Sequence, residues 1–423
     1  YSNMSYKSTD YGKTWTKIGN GVAKDDFIRV IREDQKTKGL LYAGAERGFY
    51  ISFDQGASFQ KFQSNLPVVP ITDLIIRDND LAASTAGRSF WILDDLSALQ
   101  QSKGDFGSAK VKLVQPKPTY RIFGAPGFYL ITEHGVGKNP PEGVQLDYYL
   151  SEKVTDKTIT LEILDGQGQV IRNYTNQEAK DFKSYPGGPS KPTPIPTNKG
   201  LNRFVWDFRT NGLPDVPGVF VFEGNYNGHR VAPGKYKARM TYDGVTSEAD
   251  IEIMADPRLK VSNVAWTEQQ ALIKKAEDAI VEVHDAVNKI RKVDQQLKTI
   301  GDQYKSNDNA TDLVKAAEEL SKKIKEWQSN ILEERQKGFQ DALNWPSKLN
   351  SEFFLIRNNL DTHDPRVPEG YKTRFDDLQK SWSGYRQQYN QIINQEVKKL
   401  NEIFQSKDIP LLNVETSDSM LNN

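Results

Sequence analysis

Apolar positions repeat at two different intervals along the chain, and the change falls near residue 256. Before it they come in short alternating runs at 1–8, 15–18, 27–31, 40–44, 48–52, 59–62, 71–76, 81–84 and 89–93. Period-two alternation broken by Gly, Asn and Asp turns every 8–12 residues predicts short β-strands. Grouped in fours, these runs predict the outer half of one β-meander, one whole meander and three strands of a last one. Alternation resumes at 144–150, 158–164 and 170–174, and further strands are expected at 202–208, 219–222, 235–242 and 246–254. Asp165-Gly166-Gln167-Gly168 and Asp243-Gly244 supply turns, the latter of type I′ character. Seven short strands in that span predict an immunoglobulin-like β-sandwich over 144–256. Trp206 and Phe208 share one face of a strand and are expected in its core.

Between the two β regions, residues 101–143 hold Gly104, Gly107, Pro116, Pro118, Gly124, Pro126, Gly127, Pro140 and Pro141. That density propagates neither helix nor central strand, so the segment is expected to be a linker. Residues 113–114 and 120–123 are placed to pack against the first region as the chain leaves it. A second Pro-rich stretch, 185–198, is expected as a polyproline II-like surface excursion.

After Asp256-Pro257 the interval becomes helical. From a Thr267 N-cap, Ile273, Ala276, Ile280, Val283, Val287, Ile290, Val293, Leu297 and Ile300 recur in steps of three and four, until Gly301 is expected to stop the helix. Leu313 through Ile331 predicts a second helix ending at Asn344-Trp345-Pro346, and 353–360 a short third. A long last helix carries Phe375, Leu378, Trp382, Tyr385, Tyr389, Ile392, Val397, Leu400 and Phe404. The aromatic stripe within it is at core spacing. The chain is thus expected to be multidomain, all-β followed by all-α. A β-meander portion occupies 1–100, a linker 101–143, a sandwich 144–256, an antiparallel helical bundle 257–410 and a loose tail 411–423.

One motif repeats. Ser8-Thr9-Asp10-Tyr11-Gly12-Lys13-Thr14-Trp15 returns as Ser52-Phe53-Asp54-Gln55-Gly56-Ala57-Ser58-Phe59, 44 residues later. A short Asp side chain can accept hydrogen bonds from turn N–H groups, and Gly tolerates positive φ. The closing Trp15 or Phe59 is expected to plug the hairpin into the core. This S-x-D-x-G-x-[ST]-[WF] pattern resembles the Asp-box of β-propellers, with Ser8, Asp10, Gly12 and Trp15, then Ser52, Asp54, Gly56 and Phe59, as structural staples. Residues 80–99, with Gly87-Arg88-Ser89-Phe90-Trp91-Ile92-Leu93-Asp94-Asp95-Leu96, resemble the last blade of large bacterial Asp-box proteins with sortilin-like propellers, often labelled glycosyl hydrolases. Asn202 to Arg209, Pro233-Gly234-Lys235-Tyr236 and Asp256-Pro257-Arg258 continue the resemblance. It implies the order propeller, sandwich, helical tail, and an exported protein in the periplasm, on the cell surface or secreted. Parts of three blades cannot close a ring. The expected partners of residues 1–100 are therefore the remaining N-terminal blades of the same protein.

Composition narrows the chemistry. Lys+Arg and Asp+Glu balance at 56 each, so no global field recruits nucleic acid. Cysteine is absent, which removes disulfides and thiolate chemistry, and no apolar run reaches a membrane span. The sequons at Asn3, Asn173 and Asn309 read as incidental. His134, His229, His284 and His363 have no metal-ligand spacing, and Asp361-Thr362-His363-Asp364 reads as a turn. Glycoside cleavage needs facing carboxyls roughly 5–10 Å apart. Asp25-Asp26 and Asp94-Asp95 are adjacent in sequence and point to opposite faces of a strand. Arg29, Arg32, Arg47 and Arg88 are the arginines available for a sialidase-like cluster. No phosphate loop, nucleophile elbow or cofactor motif is present. Arg88, Trp91 and Asp94 are the candidate binding residues, with an Arg88–Asp94 or Arg88–Asp95 ion pair as the structural alternative. The expectation is a non-catalytic binding or scaffolding portion with no catalytic, cofactor or metal residues, whose further partners are surface or secreted proteins or glycans. The rival is a hydrolase whose catalytic groups lie mainly in other blades.

Overall fold

The computed structural model describes residues 4–122, 141–307, 310–407 and 412–414. Five open sheets precede a helical region. In the first, β1 (Ser5–Lys7) pairs only with β2 (Thr16–Ile18). Next comes a four-stranded antiparallel meander of β3 (Ile28–Glu33), β4 (Leu41–Ala45), β5 (Phe49–Ser52) and β6 (Gln60–Lys61). A three-stranded meander follows, of β7 (Ile71–Arg77), β8 (Asp80–Thr85) and β9 (Phe90–Leu93), closed by the short helix α1 (Ser97–Ser102).

The two meanders share an apolar layer in which Tyr42, Phe49 and Ile51 meet Ile71, Leu74 and Leu81. Their approach is close enough that a Cβ on Gly44 would fall 2.5 Å from Ile71 Cγ2. Asp34 ties the layer together, accepting from Tyr42 Oη at 2.9 Å and Gln100 Nε2 at 3.0 Å. Gln100 also donates to Asn79 Oδ1 at 2.8 Å, so one amide on α1 bridges both meanders.

The sandwich begins earlier than its periodicity suggests. Residues 111–121, assigned above to a linker, contribute β10 (Val111–Leu113) and β11 (Thr119–Arg121). They join β12 (Val144–Leu150), β13 (Ile159–Leu164), β14 (Val170–Thr175), β15 (Gly200–Trp206), β16 (Gly234–Tyr242) and β17 (Val245–Ala255). One sheet runs β10-β12-β15, and the other β11-β17-β16-β13-β14. Strand β11 lies parallel to β17 at the edge of the second. Prolines 116 and 118 flank these strands and so remove no ladder donor, which is why a Pro-rich segment can still hold them. Leu113 therefore enters the sandwich core instead of packing on the first region, and Phe123 lies outside the described residues. Trp206 and Phe208 are fully buried at that core as expected, and Trp206 Nε1 donates to Arg209 O at 2.8 Å.

The expected strand at 219–222 does not form. Instead 207–233, still held in the sandwich core by Phe208 and Val231, loops out of it, and Val216, Val219, Val221 and Tyr226 are buried in the core of the helices. The apolar run 219–222 thus serves a different partner, not a sheet.

The helices are α2 (Asn263–Tyr304), α3 (Thr311–Ser329), α4 (Leu349–Leu360), α5 (Glu369–Gln391) and α6 (Lys398–Ser406). A π-helical segment, Ile392–Val397, joins the last two into one continuous rod. The α2 N-cap is Ser262, whose hydroxyl accepts from Ala265 N, and not Thr267. Gly301 does not stop α2, because the helix runs one further turn before its C-cap. Helix α3 ends at Ser329, well short of Trp345, and 330–348 is irregular apart from a 3-10 turn at Phe339–Leu343. Trp382 is buried, with Tyr385 and Tyr389 packed against the same core.

Charge is buried where the sandwich excursion meets the helices. Arg357 of α4 is inaccessible and donates to Glu277 of α2 at 3.1 Å, and Glu277 also accepts from the backbone N–H and Nδ1 of His229. Asp361, expected as part of a simple turn, is buried and accepts from Arg209 Nη1 and Arg230 N, both at 2.9 Å. Arg121 from β11 donates to Val231 O and Thr362 O and lies 4.7 Å from the Trp266 ring centroid. Burial lowers its pKa to about 10, leaving it charged at neutral pH. His284 is buried, with Nδ1 2.6 Å from Pro214 O and Nε2 2.9 Å from Asn350 Oδ1. A neutral imidazole has one N–H, so Nδ1–H donates to Pro214 and Nε2 needs a donor. Turning the Asn350 amide over supplies one through Nδ2, which otherwise has no partner.

Two outcomes follow from this shared core. A 144–256 fragment lacks β10 and β11 and exposes Val216, Val219 and Val221. It should give an unfolded far-UV spectrum where a 105–407 chain gives mixed β and α signals, and in the intact protein Trp206→Ala should cost about 3–5 kcal/mol in urea melts. The second concerns pH. Burial lowers the His284 pKa in the folded state. The unfolded chain therefore takes up the proton first, so stability is complete above about pH 6.5 and falls as pH drops below it. His284→Gln should flatten the dependence of the melting temperature between about pH 7.5 and 5, whatever it costs at neutral pH.

Candidate functional site

The repeated turns are built alike. In the first, Ser8 Oγ donates to Asp10 Oδ1 at 2.9 Å and accepts from Gly12 N at 2.7 Å, while Asp10 accepts from Thr14 N and Oγ1 at 2.8 and 2.7 Å. In the second, Ser52, Asp54, Gly56 and Ser58 repeat every one of these bonds. The Thr14 N–H and hydroxyl hold the Asp10 carboxyl below its ordinary range. Burial pushes Asp54 up, and the Ser58 hydroxyl and N–H outweigh it, so it too is lowered. Both carboxylates are occupied as turn acceptors. The aromatic ends diverge. Phe59 is 4% exposed, but Trp15, expected as a core plug, is 64% exposed with Nε1 on Gly12 O. Among the described residues, β1 and β2 pair with no further strand that could cover it.

The arginines that could have formed an anion cluster are committed elsewhere. Arg29 pairs with Glu46, Arg32 with Asp73 and Arg47 with Asp25. Asp26, next to Asp25, is buried and accepts from Tyr50 Oη and Arg47 N. The two acids thus face different surroundings.

Arg88, Trp91 and Asp94 do not converge. Arg88 is exposed at the β8–β9 turn, and the expected ion pair with Asp94 or Asp95 does not form. Only its backbone is used, its carbonyl accepting from Trp91 Nε1 at 3.0 Å. Gly87, with φ +86°, and Ser89, with φ +56°, turn the chain so that the Arg88 side chain projects outward. Asp95 is buried and accepts from Asn79 Nδ2 and Ser97 N at 3.1 and 3.0 Å, while its own N–H donates to Asp80 Oδ1. Asp94 is exposed and makes no hydrogen bond or ion pair to a described residue.

Asp94 does stand at a cleft. Between the last meander and the sandwich, about 910 Å³ of space is bounded by Ile92, Asp94, Leu99, Leu201 and the Arg203–Asp147 ion pair. A neighbouring space of about 1290 Å³ also reaches Asp94 and Asp95, with Asp80, Tyr120 and Glu142 around it. Trp91 lines a third, apolar space with Phe62 and Leu81. Sequence reasoning missed Asp80, Asp147 and Arg203 as cleft residues, because the pairing of β12 with β15 brings Asp147 opposite Arg203 from 56 positions away. Among the described residues no three His, Asp or Glu side chains come together as for a metal ion, and no helix is long and apolar enough to cross a membrane.

No family model and no curated protein matches the chain. Among solved structures, it aligns with a protein described as the extracellular domain of a hybrid two-component system of B. thetaiotaomicron. The identity is 12% over 59% of this chain and 28% of that one, with a TM-score of 0.17.

The neighbouring acids should separate in stability measurements. Asp95→Ala removes two acceptor contacts from a buried site and should lower stability by about 1–3 kcal/mol. Asp94→Asn should leave the melting temperature within error. Thermal melts of the two purified variants check both.

Proposed function

We propose that residues 1–423 form a non-catalytic binding or scaffolding part of an exported bacterial Asp-box propeller protein, acting in the periplasm, on the cell surface or after secretion. The observation that carries the reading is the fate of the acids that the motifs bring forward. Asp10, Asp26, Asp54 and Asp95 each accept structural hydrogen bonds, and the exposed Asp94 makes no hydrogen bond or ion pair to a described residue. The repeated staples and the meander packing support a propeller arc, with further blades of the same protein completing it. An uncovered row on the last meander favours such neighbours. Ile75, Ala82 and Ile92 are cross-strand partners, and Ile75 and Ile92 are each 62% exposed. At the other end Met4 and Trp15 are likewise exposed. The ligands of the completed protein are then other secreted or surface proteins, or glycans.

The competing reading, a propeller hydrolase whose catalytic groups lie in other blades, meets the same observations with a separate prediction. Residues 1–423 should release no product from fluorogenic glycosides or casein above buffer. Any activity of a longer form should survive Asp94→Asn and His363→Ala. A loss of turnover above tenfold in Asp94→Asn, with an unchanged melting temperature, would establish an enzymatic site here.

A further inference from the structure

A loose tail is expected over 411–423, yet 412–414 are held against the helices by their backbone. Leu412 N donates to Asn401 Oδ1 at 2.7 Å, and Asn401 Nδ2 donates back to Leu412 O at 3.0 Å. One residue on, Asn413 N donates to Gln296 Oε1 at 2.9 Å, and Gln296 Nε2 donates to Asn413 O at 3.0 Å. A carboxamide carries an acceptor oxygen beside a donor nitrogen, so each of these side chains matches both backbone groups of one residue. In extended chain the N–H and C=O of one residue point to one side, and those of the next residue to the other. Asn401 stands on α6 and Gln296 on α2, so the segment is gripped from both sides. Its side chains alternate to match. Leu412 is buried and Val414 half-buried against the helical core, while Asn413 between them is exposed. Gln296 Nε2 also donates to Lys292 O at 3.3 Å within α2, which orients its carboxamide for this contact.

We infer that α2 and α6 frame a peptide-binding groove for an extended segment with apolar residues two positions apart, and that 412–414 is its resident occupant. The inference goes beyond the binding reading above, because it involves neither the meanders nor their neighbours. Recognition divides as it does in strand addition, where the main chain supplies the hydrogen bonds and alternate side chains supply the selection. All four hydrogen bonds here reach the backbone, so they accept any residue with an N–H at 412 and 413 and exclude proline. Selection falls on Leu412 and Val414, which enter the core, and the exposed Asn413 side chain is not read. The occupant is the chain's own because it is tethered. Asn401 and Leu412 are 11 positions apart, so the segment meets the groove at a high effective concentration. A peptide in solution reaches the site only when the resident segment is withdrawn.

The probe is a fluorescein-labelled peptide with the sequence of 410–416, Pro-Leu-Leu-Asn-Val-Glu-Thr, titrated by fluorescence anisotropy. The protein is the whole of residues 1–423 carrying Leu412→Ser and Val414→Ser, which withdraw the resident segment. This double variant should bind the probe about tenfold or more tighter than the parent chain, whose groove is filled. A probe with Ser in place of its second Leu and its Val should bind about tenfold or more weaker, and one with Ala in place of its Asn should bind unchanged. Adding Gln296→Ala or Asn401→Ala to the double variant should weaken binding about three- to tenfold. Equal binding to parent and double variant overturns the inference, as does a double variant that binds no probe or binds the Ser-substituted one as well. Should the double variant fail to fold, amide exchange in the parent decides. There the Leu412 and Asn413 N–H groups should exchange about tenfold or more slower than in the isolated peptide, and equal rates overturn the inference. A parent that is dimeric by light scattering, and monomeric after the double substitution, would put the segment in a second copy's groove and overturn its assignment to its own chain.

Discussion

The constraint on which the sandwich and helices both depend is the burial of the 207–233 excursion. It starts from a sheet and ends in one, yet its apolar residues complete the helical core. Excursions of this kind carry unpaired backbone groups with them, and these must be satisfied where they land. Here the partners come from charged side chains. The backbone N–H groups of His229 and Arg230 bond to Glu277 and Asp361, and the carbonyls of Asn227, Gly228 and Val231 accept from Arg357, Arg209 and Arg121. A buried arginine is costly to desolvate, and these three recover that cost by serving carbonyls and carboxylates from different elements. The sandwich and the helices are accordingly joined by a seam, not by a tether.

A smaller clamp sets the first region against this unit. Gln101, just after the meanders, exchanges two hydrogen bonds with the Gln115 backbone, at 2.9 and 2.8 Å. The Gln115 side chain in turn bonds both backbone groups of Asp250 on β17, at 2.5 and 3.0 Å. Lys117 reaches back to Asp80 in the same span. The cleft beside Asp94 has walls from both sides of this clamp, so its width is set by amide geometry and not by a free linker.

Much of this was legible in the sequence. The change of period near residue 256 marked the boundary between β and α structure, and the repeated turn foretold its Asp acceptors and the positive φ of Gly12 and Gly56, because both depend on local spacing. Phe59 obeyed its motif, while Trp15 did not, since whether an aromatic is covered depends on a neighbouring sheet and not on the turn that presents it. The apolar run at 219–222 reads as a strand, but a short apolar run reports only that side chains are buried, not what buries them. Prolines 116 and 118 hid two edge strands, because proline density argues against a strand only where it would occupy ladder positions. The cleft was the least visible feature. Asp94 could be singled out by its neighbours in sequence, but its isolation from Arg88 and its position facing Arg203 arise only once β9 and β15 are in place.

The seam also carries a consequence for the order of synthesis. Strand β15 and the excursion emerge well before α2, and α4, which supplies Arg357 and Asn350, emerges about 130 residues after the excursion it anchors. On a ribosome adding roughly 5–20 residues per second, Val216, Val219 and Val221 must wait for several seconds with no surface to cover them. The sandwich sheets can pair in that interval, but the nascent chain carries an exposed apolar loop until the helices arrive. That interval is where a holding chaperone would find this protein, and where slowed translation ahead of α4 would prolong the risk of association through the loop.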